Sequence, residues 1–339
     1  MSVHRQVAPT NPKHFSLFSL YEVTHSEMSP LLPLSLCLAF AQHPTHRKPV
    51  LTPEAINNPH ANTIVRAQVL LCRAHFSVGQ IDGLQGVNFS RALKGFQTAH
   101  HIAATGILNK PTWSALNTDT APALISYTIT KQDTTGPFEK IPDDMMAQAA
   151  LAKMNYESVD DELGERFHSS PALLHKLNPA KPFDQPDTEI WVPDVNMPEP
   201  LKAASLSVSK SQNTVTAVDA AGKVIAQFPC TSGSSHDPLP LGEWKVKDII
   251  HDPPFYYNPN LFWDADDATQ SKAKIAPGPR NPVGVVWIGI DRPHYGLHGT
   301  PAPDLVGHAQ SHGCVRLTNW DALELSKMVA KGVPVYFKQ

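Results

Sequence analysis

From Pro193 to Pro200 the chain runs as a proline-bearing connection, and the spacing of apolar residues differs on its two sides. Upstream, Ile64, Ala67, Leu71 and Ala74 recur at the three- and four-residue intervals of one helical face, and Phe89, Ala92, Leu93 and Phe96 do so again. Downstream, Leu206-Ser-Val208, Thr214 to Val218, Lys223 to Phe228, Glu243 to Lys247 and Val283 to Ile290 read as short strands. A chain whose apolar period changes across an extended linker is expected to fold round separate cores. Its 339 residues suffice for two or three domains of roughly 100 to 200 residues each. The 32 prolines, about twice the usual usage of about 5%, fit small modules joined by extended connections.

Charge excludes some function classes. A net charge of -3 with 17% charged residues offers no basic field for nucleic acid and no polybasic membrane patch. The apolar run Leu31 to Ala41 is far shorter than the about 20 residues needed to cross a bilayer. It ends in Ala39-Phe-Ala41, the small-x-small form of a signal-peptidase site, so residues 1–41 are expected to be a leader cleaved after Ala41. The stretch before it is long for a leader, and Met28 offers an alternative start; a disordered tail is the competing reading. Leu36 before Cys37 is too bulky for a lipoprotein box. Cys72 and Cys230 have apolar neighbours and are expected to be buried and unpaired, with a disulfide between them as the alternative in an oxidising compartment.

Asp82-Gly83 and Gly86 form a turn that leads to Asn88, an expected N-cap for the second helix, and Pro111-Thr-Trp113 opens a third. With Ala92-Leu93, Phe96-Gln97, Thr105-Gly106 and Thr112-Trp113, residues 55–120 resemble the type 1 peptidoglycan-binding domain, a small all-α three-helix module. Next, Tyr127-Thr-Ile-Thr alternates as a strand, Leu163 to Phe167 and Leu173 to Asn178 are patterned as short helices, and Ile190 to Pro193 closes the segment as a second strand. This βααβ order over 124–195 resembles a LysM module, which would bind N-acetylglucosamine polymers. The insertion from Gly136 to Tyr156 is long, and Asp187 stands where such modules usually have glycine. A spacer that keeps the fold without the affinity is the alternative.

Chemistry concentrates near the end of the chain, in Tyr295-Gly-Leu-His298-Gly299 and Ser311-His312-Gly313-Cys314-Val315-Arg316. A thiol is a weak nucleophile until a base takes its proton, so Cys314 with His298, sixteen positions upstream, is the minimum equipment for thiol-based acyl transfer. If a protonated histidine sits beside it, the thiol pKa is expected to fall. The spacings among His294, His298, His308, His312 and Cys314 also suggest zinc pairs. Pro301, Pro303 and Gly307 break any helix that would align them, so neither metal nor cofactor is expected.

The His-Gly and Ser-x-Gly-Cys-hydrophobic-Arg halves, in this order and followed by a helix from Thr318 to Gly332 and a final strand, resemble the L,D-transpeptidase catalytic domain, the YkuD type. The resemblance covers 201–339 and implies a mostly β fold and a periplasmic enzyme. It further implies that Cys314 is the nucleophile, His298 the general base and later acid, the Gly299 carbonyl the orienter of the histidine, and the backbone N–H groups of Gly313 and Cys314 the oxyanion donors. Arg316, His312, Ser311 and Tyr295 are expected to contact substrate. Arg316 could equally hold the loop, and Ser311 is expected mainly to hydrogen-bond within it. The implied partners are peptidoglycan stem peptides and glycan, and an outer-membrane lipoprotein is one conceivable amine acceptor. A carboxypeptidase, or a wall-binding protein without catalysis, is the alternative.

Overall fold

The computed structural model describes residues 51–262, 271–309, 311 and 313–339. The expected leader, with its cleavage after Ala41, lies outside them, as does His312. Among the described residues the side chains gather into three apolar clusters.

The first cluster is helical. It comprises α1 (Pro53–Asn57), α2 (Ile64–Arg73), α3 (Val87–Ala99) and α4 (Lys110–Leu116). Thr63 and Asn109 cap α2 and α4 through their side chains, which accept from Arg66 N and Thr112 N. At α3 the expectation is corrected: the N-cap is Gly86, which has no side chain to accept from the first-turn amides, and Asn88 lies inside the first turn. Its amide instead donates to Val306 O of the third domain at 2.8 Å, so a tertiary contact outcompetes the local cap. The helix α1 was not legible from periodicity, because only Ile56 of its five residues is buried.

The second cluster lies between β1 (Leu124–Thr128) and β2 (Glu189–Pro193), an antiparallel pair with Leu124 opposite Pro193. Between them come α5 (Met145–Ala149), α6 (Val159–Arg166) and α7 (Pro171–Leu177). The strand thus begins three residues before the expected Tyr127. Asn178 ties α7 to β2, donating to Leu174 O and Trp191 O and accepting from Trp191 N. Asp187 has φ +64°, the left-handed conformation that glycine adopts more cheaply. The two upstream segments do not have wholly separate cores, since Leu173 and Leu177 of α7 pack into the helical cluster.

The third domain is a nine-stranded sheet. Its strands are β3 (Ser205–Ser209), β4 (Thr214–Val218), β5 (Val224–Pro229), β6 (Thr231–Ser232), β7 (Gly242–His251), β10 (Val286–Ile290), β11 (Gly296–His298), β12 (Val315–Arg316) and β13 (Pro334–Lys338). They lie in the order β5-β4-β3-β13-β7-β10-β11-β12-β6. Two further strands, β8 (Phe255–Tyr257) and β9 (Ala273–Ile275), pair separately. The expected β4–β5 hairpin forms, with Asp219 N donating to Lys223 O and Gly222 at φ +78°. Helix α8 (Asn319–Met328) packs on β10 and β11 and is capped by Thr318, whose Oγ1 accepts from Asp321 N at 3.2 Å.

The helical module is docked on this sheet. Backbone bonds run from Ser77 N to Gln227 O and from Gln227 N to His75 O, both 2.9 Å. Side chains add Ser77 Oγ donating to Asp321 Oδ2 at 2.9 Å and His75 Nδ1 against Glu324 Oε1 at 2.7 Å. Cys72 and Cys230 are both buried and free. Asp321 is 1% exposed, and desolvation holds its carboxyl well above the usual range despite the Ser77 hydroxyl.

A folded pKa raised above the unfolded value means that stability falls as pH rises above about 4, where the unfolded carboxyl gives up its proton first. Asp321→Asn is therefore expected to melt near the parent at pH 5 and progressively above it toward pH 8. Thermal melts across that range check this; a gap that stays constant or narrows with pH would contradict it.

Candidate active site

The site grows out of the parallel pairing of β11 with β12, in which Leu297 faces Val315 and His298 faces Arg316. Side chains alternate along a strand, so Leu297 and Val315, both 0% exposed, point into the core, and His298 and Arg316 stand on the other face. Cys314 precedes Val315 and falls on the face of His298, level with Gly296, from which its sulfur receives a backbone hydrogen bond. Two residues far apart in sequence thereby become neighbours on adjacent strands. The Arg316 guanidinium acts electrostatically on both.

His298 is fixed from two sides. Its Nδ1 lies 2.6 Å from Gly299 O, and a carbonyl only accepts, so Nδ1 carries the proton and Nε2 is left as the basic nitrogen. Trp287 stacks on the imidazole, with ring centroids 5.6 Å apart and 21° between planes. Beneath Gly299 lies Asn319. A Cβ on Gly299 would come within 2.2 Å of Asn319 Oδ1, and one on Gly284 within 2.0 Å, so neither position admits a side chain. Asn319 is itself clamped: Oδ1 accepts from Val285 N at 3.2 Å, and Nδ2 donates to Pro279 O at 3.0 Å and to Glu165 Oε2 of α6 at 2.9 Å. Burial pushes the Glu165 carboxyl up to about 7, although Asn319 and Tyr156 donate to it.

The loop returning from His298 to Cys314 is held along its length. Thr231 Oγ1 donates to Leu305 O and accepts from Gly307 N. From the helical module, Asn88 holds Val306 O, and Arg91 Nη1 donates to Gly307 O at 3.0 Å. Gly307 has φ +82°, and a Cβ there would lie 2.3 Å from Asn88 Oδ1. Ser311 is not placed for the expected contact with substrate. It is 3% exposed, accepts from Gly233 N at 2.7 Å and donates to Cys314 O at 2.6 Å, fixing the loop on which the cysteine sits. Gly313 has φ +99° and rests against Tyr295, whose Cε1 would be 2.9 Å from an added Cβ. Tyr295 in turn lies under the Arg292 guanidinium, 4.9 Å from the ring centroid.

The electrostatics reverse one expectation. Desolvation pushes the Cys314 thiol up to about 11, outweighing the Gly296 amide and Arg316, which both favour the thiolate. The thiol hydrogen is directed to His294 O at 3.5 Å. Desolvation also drives His298 down to about 3, helped by Arg316 and opposed by the Gly299 carbonyl. Enclosure therefore disfavours both charged forms, and at neutral pH the resting pair is thiol and neutral imidazole. The positions that sequence reasoning missed are Asn319, Glu165, Asn88 and Arg91. Only Asn319, adjacent to a recognisable N-cap, had any local signal.

Alkylation of Cys314 by iodoacetamide, followed by peptide mass spectrometry from pH 6 to 11, is expected to keep accelerating above pH 9. A rate already flat by pH 7 would mean a preformed ion pair and would contradict this account.

The chain is similar to known proteins over two stretches. The YkuD family, described as "L,D-transpeptidase catalytic domain", matches residues 204–337, and the family described as "Putative peptidoglycan binding domain" matches residues 60–116. The protein named "Putative L,D-transpeptidase YkuD" from Bacillus licheniformis is 44% identical over 59 residues, 17% of this chain and 36% of that protein. "Putative L,D-transpeptidase YqjB" from Bacillus subtilis is 29% identical over 133 residues, 38% of this chain and 67% of the relative. The two YkuD proteins of Bacillus are thus matched over about a third of their length. Among solved structures, L,D-transpeptidase 3 from Mycobacterium tuberculosis with a faropenem-derived adduct aligns at 20% identity and a TM-score of 0.33. That alignment covers 46% of this chain and 75% of the other. Residues 204–337, the stretch similar to the YkuD family, carry both His298 and Cys314, and the stretch similar to the peptidoglycan-binding family, residues 60–116, precedes it.

Proposed function

We propose that the chain is a peptidoglycan L,D-transpeptidase. The observation that supports the reading is that Cys314 immediately precedes β12, which pairs with β11 and so with His298, whose Nδ1–H is held by Gly299 O so that Nε2 is the free base. In the first half-reaction Cys314 Sγ attacks the carbonyl between the third residue of a tetrapeptide stem, typically diaminopimelate, and its terminal D-Ala. The thiol proton passes to His298 Nε2 as the S–C bond forms. The oxyanion is met by the backbone N–H groups of Gly313 and Cys314, with His312 as a side-chain helper, and Arg316 pairs with a substrate carboxylate. Collapse breaks the C–N bond, and the imidazolium gives its proton to the departing D-Ala amine, leaving a thioester.

In the second half an amine attacks the thioester, loses a proton to His298, and releases the acyl group as an amide while the thiol is restored. A stem-peptide amine gives a 3-3 cross-link, a lysine of an outer-membrane lipoprotein gives anchoring, and water gives a carboxypeptidase. The peptidoglycan-binding domain supports a wall substrate and an extracytoplasmic, periplasmic location. Among the described residues no helix is long and apolar enough to cross a membrane. The segment between β1 and β2 has two helices after its inserted α5, and we read it as a LysM-like module serving as a spacer.

Incubation with tetrapeptide muropeptides followed by intact mass spectrometry tests the reading. The expected result is a Cys314 adduct of stem mass less D-Ala, abolished in Cys314→Ala, and turnover reduced roughly 100- to 10,000-fold in His298→Gln. A folded protein that forms no adduct would overturn it.

A further inference from the structure

Trp287 of β10 is the direct cross-strand partner of His298, and the next pair on the same face of the sheet is Gly289 with Gly296. Two glycines opposite each other leave that part of the face bare, and the Trp287 indole fills it. A Cβ on Gly296 would lie 2.7 Å from the indole Cζ2, and one on Gly289 would lie 2.9 Å from its Nε1. Only glycine at both positions admits the ring where it stands, 5.6 Å from the imidazole centroid with 21° between the planes. The indole thereby lies against both the base and Gly296, whose N–H bonds to the Cys314 sulfur.

Transfer of the thiol proton puts a positive charge on His298 where its surroundings resist one. The residue is 4% exposed, and desolvation and Arg316 both disfavour the imidazolium, opposed by the Gly299 carbonyl. An aromatic face carries the negative side of the ring quadrupole. It attracts a cation within about 6 Å of its centroid, tryptophan more than any other side chain, and the attraction grows where water is excluded. The stacked geometry and the burial of His298 meet both conditions. An aliphatic side chain at residue 287 would also cover the imidazole, but it would supply no such attraction.

We propose that Trp287 is a positioning residue for acyl transfer that acts through His298: its indole face receives the imidazolium as the thiol proton arrives at Nε2, and the Gly289–Gly296 pair seats the ring for that purpose. A neutral imidazole gains little from the same contact, so the effect falls on the step in which charge develops rather than on the resting pair. The assignment rests on the reading of Cys314 as nucleophile and His298 as base, and it does not depend on the identity of the stem peptide.

The probe is p-nitrophenyl acetate, an activated ester that carries no stem peptide. Cys314 Sγ attacks its carbonyl, the thiol proton passes to His298 Nε2, and the C–O bond to p-nitrophenolate breaks, leaving S-acetyl cysteine. Release of p-nitrophenolate by the full chain, less that by Cys314→Ala, measures the step. At about pH 7 Trp287→Leu is expected to react about tenfold more slowly than the parent, and Trp287→Phe, which keeps a weaker aromatic face, about threefold more slowly. Alkylation by iodoacetamide at about pH 11, where hydroxide takes the thiol proton and no imidazolium forms, is expected to run at the parent rate in both variants. Equal acetylation of the parent and Trp287→Leu would overturn the assignment, as would a parent whose Cys314 is not acetylated. A loss in Trp287→Phe as large as in Trp287→Leu, or alkylation slowed by the same factor as acetylation, would reduce the ring to a packing element and overturn it too. Acetylation that follows the expected order, with no Cys314 adduct from muropeptides, would count against the transpeptidase reading alone.

Discussion

The close approach of Gly284 and Gly299 to the Asn319 amide is the constraint on which the site depends. Because no Cβ stands between them, the backbone at Gly299 can settle onto the first turn of α8. From there its carbonyl holds His298 Nδ1, and its own N–H donates to Val286 O at 3.1 Å. A hydrogen bond to a neutral imidazole contributes only about 1 kcal/mol net. Its value here is geometric, since it selects the tautomer that leaves Nε2 as the basic nitrogen. A side chain at residue 299 would displace the carbonyl and lose that selection, even if the sheet survived.

Modules outside the catalytic domain take part in this constraint. Glu165 of α6 holds one side of the Asn319 amide, and Arg280 is engaged by Glu157 and Asp161 from the same segment. On the other side Asn88 and Arg91 of the helical module hold the carbonyls of Val306 and Gly307, in the loop that leads to the cysteine. The strand of His298 and the loop that leads to Cys314 are therefore each braced by a different upstream segment.

What was legible in the sequence follows from the range over which each signal acts. Strands β3, β4, β5, β7 and β13, the hairpin at Asp219 to Gly222 and the Thr318 cap are local patterns and lie close to where the spacing puts them, whereas β10 begins three residues late and the short β6, β8, β9, β11 and β12 had no pattern to read. Cys314 and His298 were legible because a compact motif surrounds each. Asn88 was misread because cap preference is a local prior, whereas its amide found a carbonyl more than 200 residues away. Ser311 was legible as a hydrogen-bonder of its loop, but not the partners that its hydroxyl meets, Gly233 N and Cys314 O.

The thiol's pKa was expected to fall beside a charged histidine, on the assumption that the partner would keep its proton. Enclosure removes that assumption. Burial acts on both groups in the direction of neutrality, and Arg316, which favours the thiolate, simultaneously disfavours the imidazolium. A single cation thus cannot stabilise the charge-separated pair as a whole. The charge that can do so is the negative one that develops on an attacked carbonyl, held by backbone donors while the imidazolium forms beside it. Under the proposed mechanism, proton transfer and attack are then driven together once an acyl group is in place.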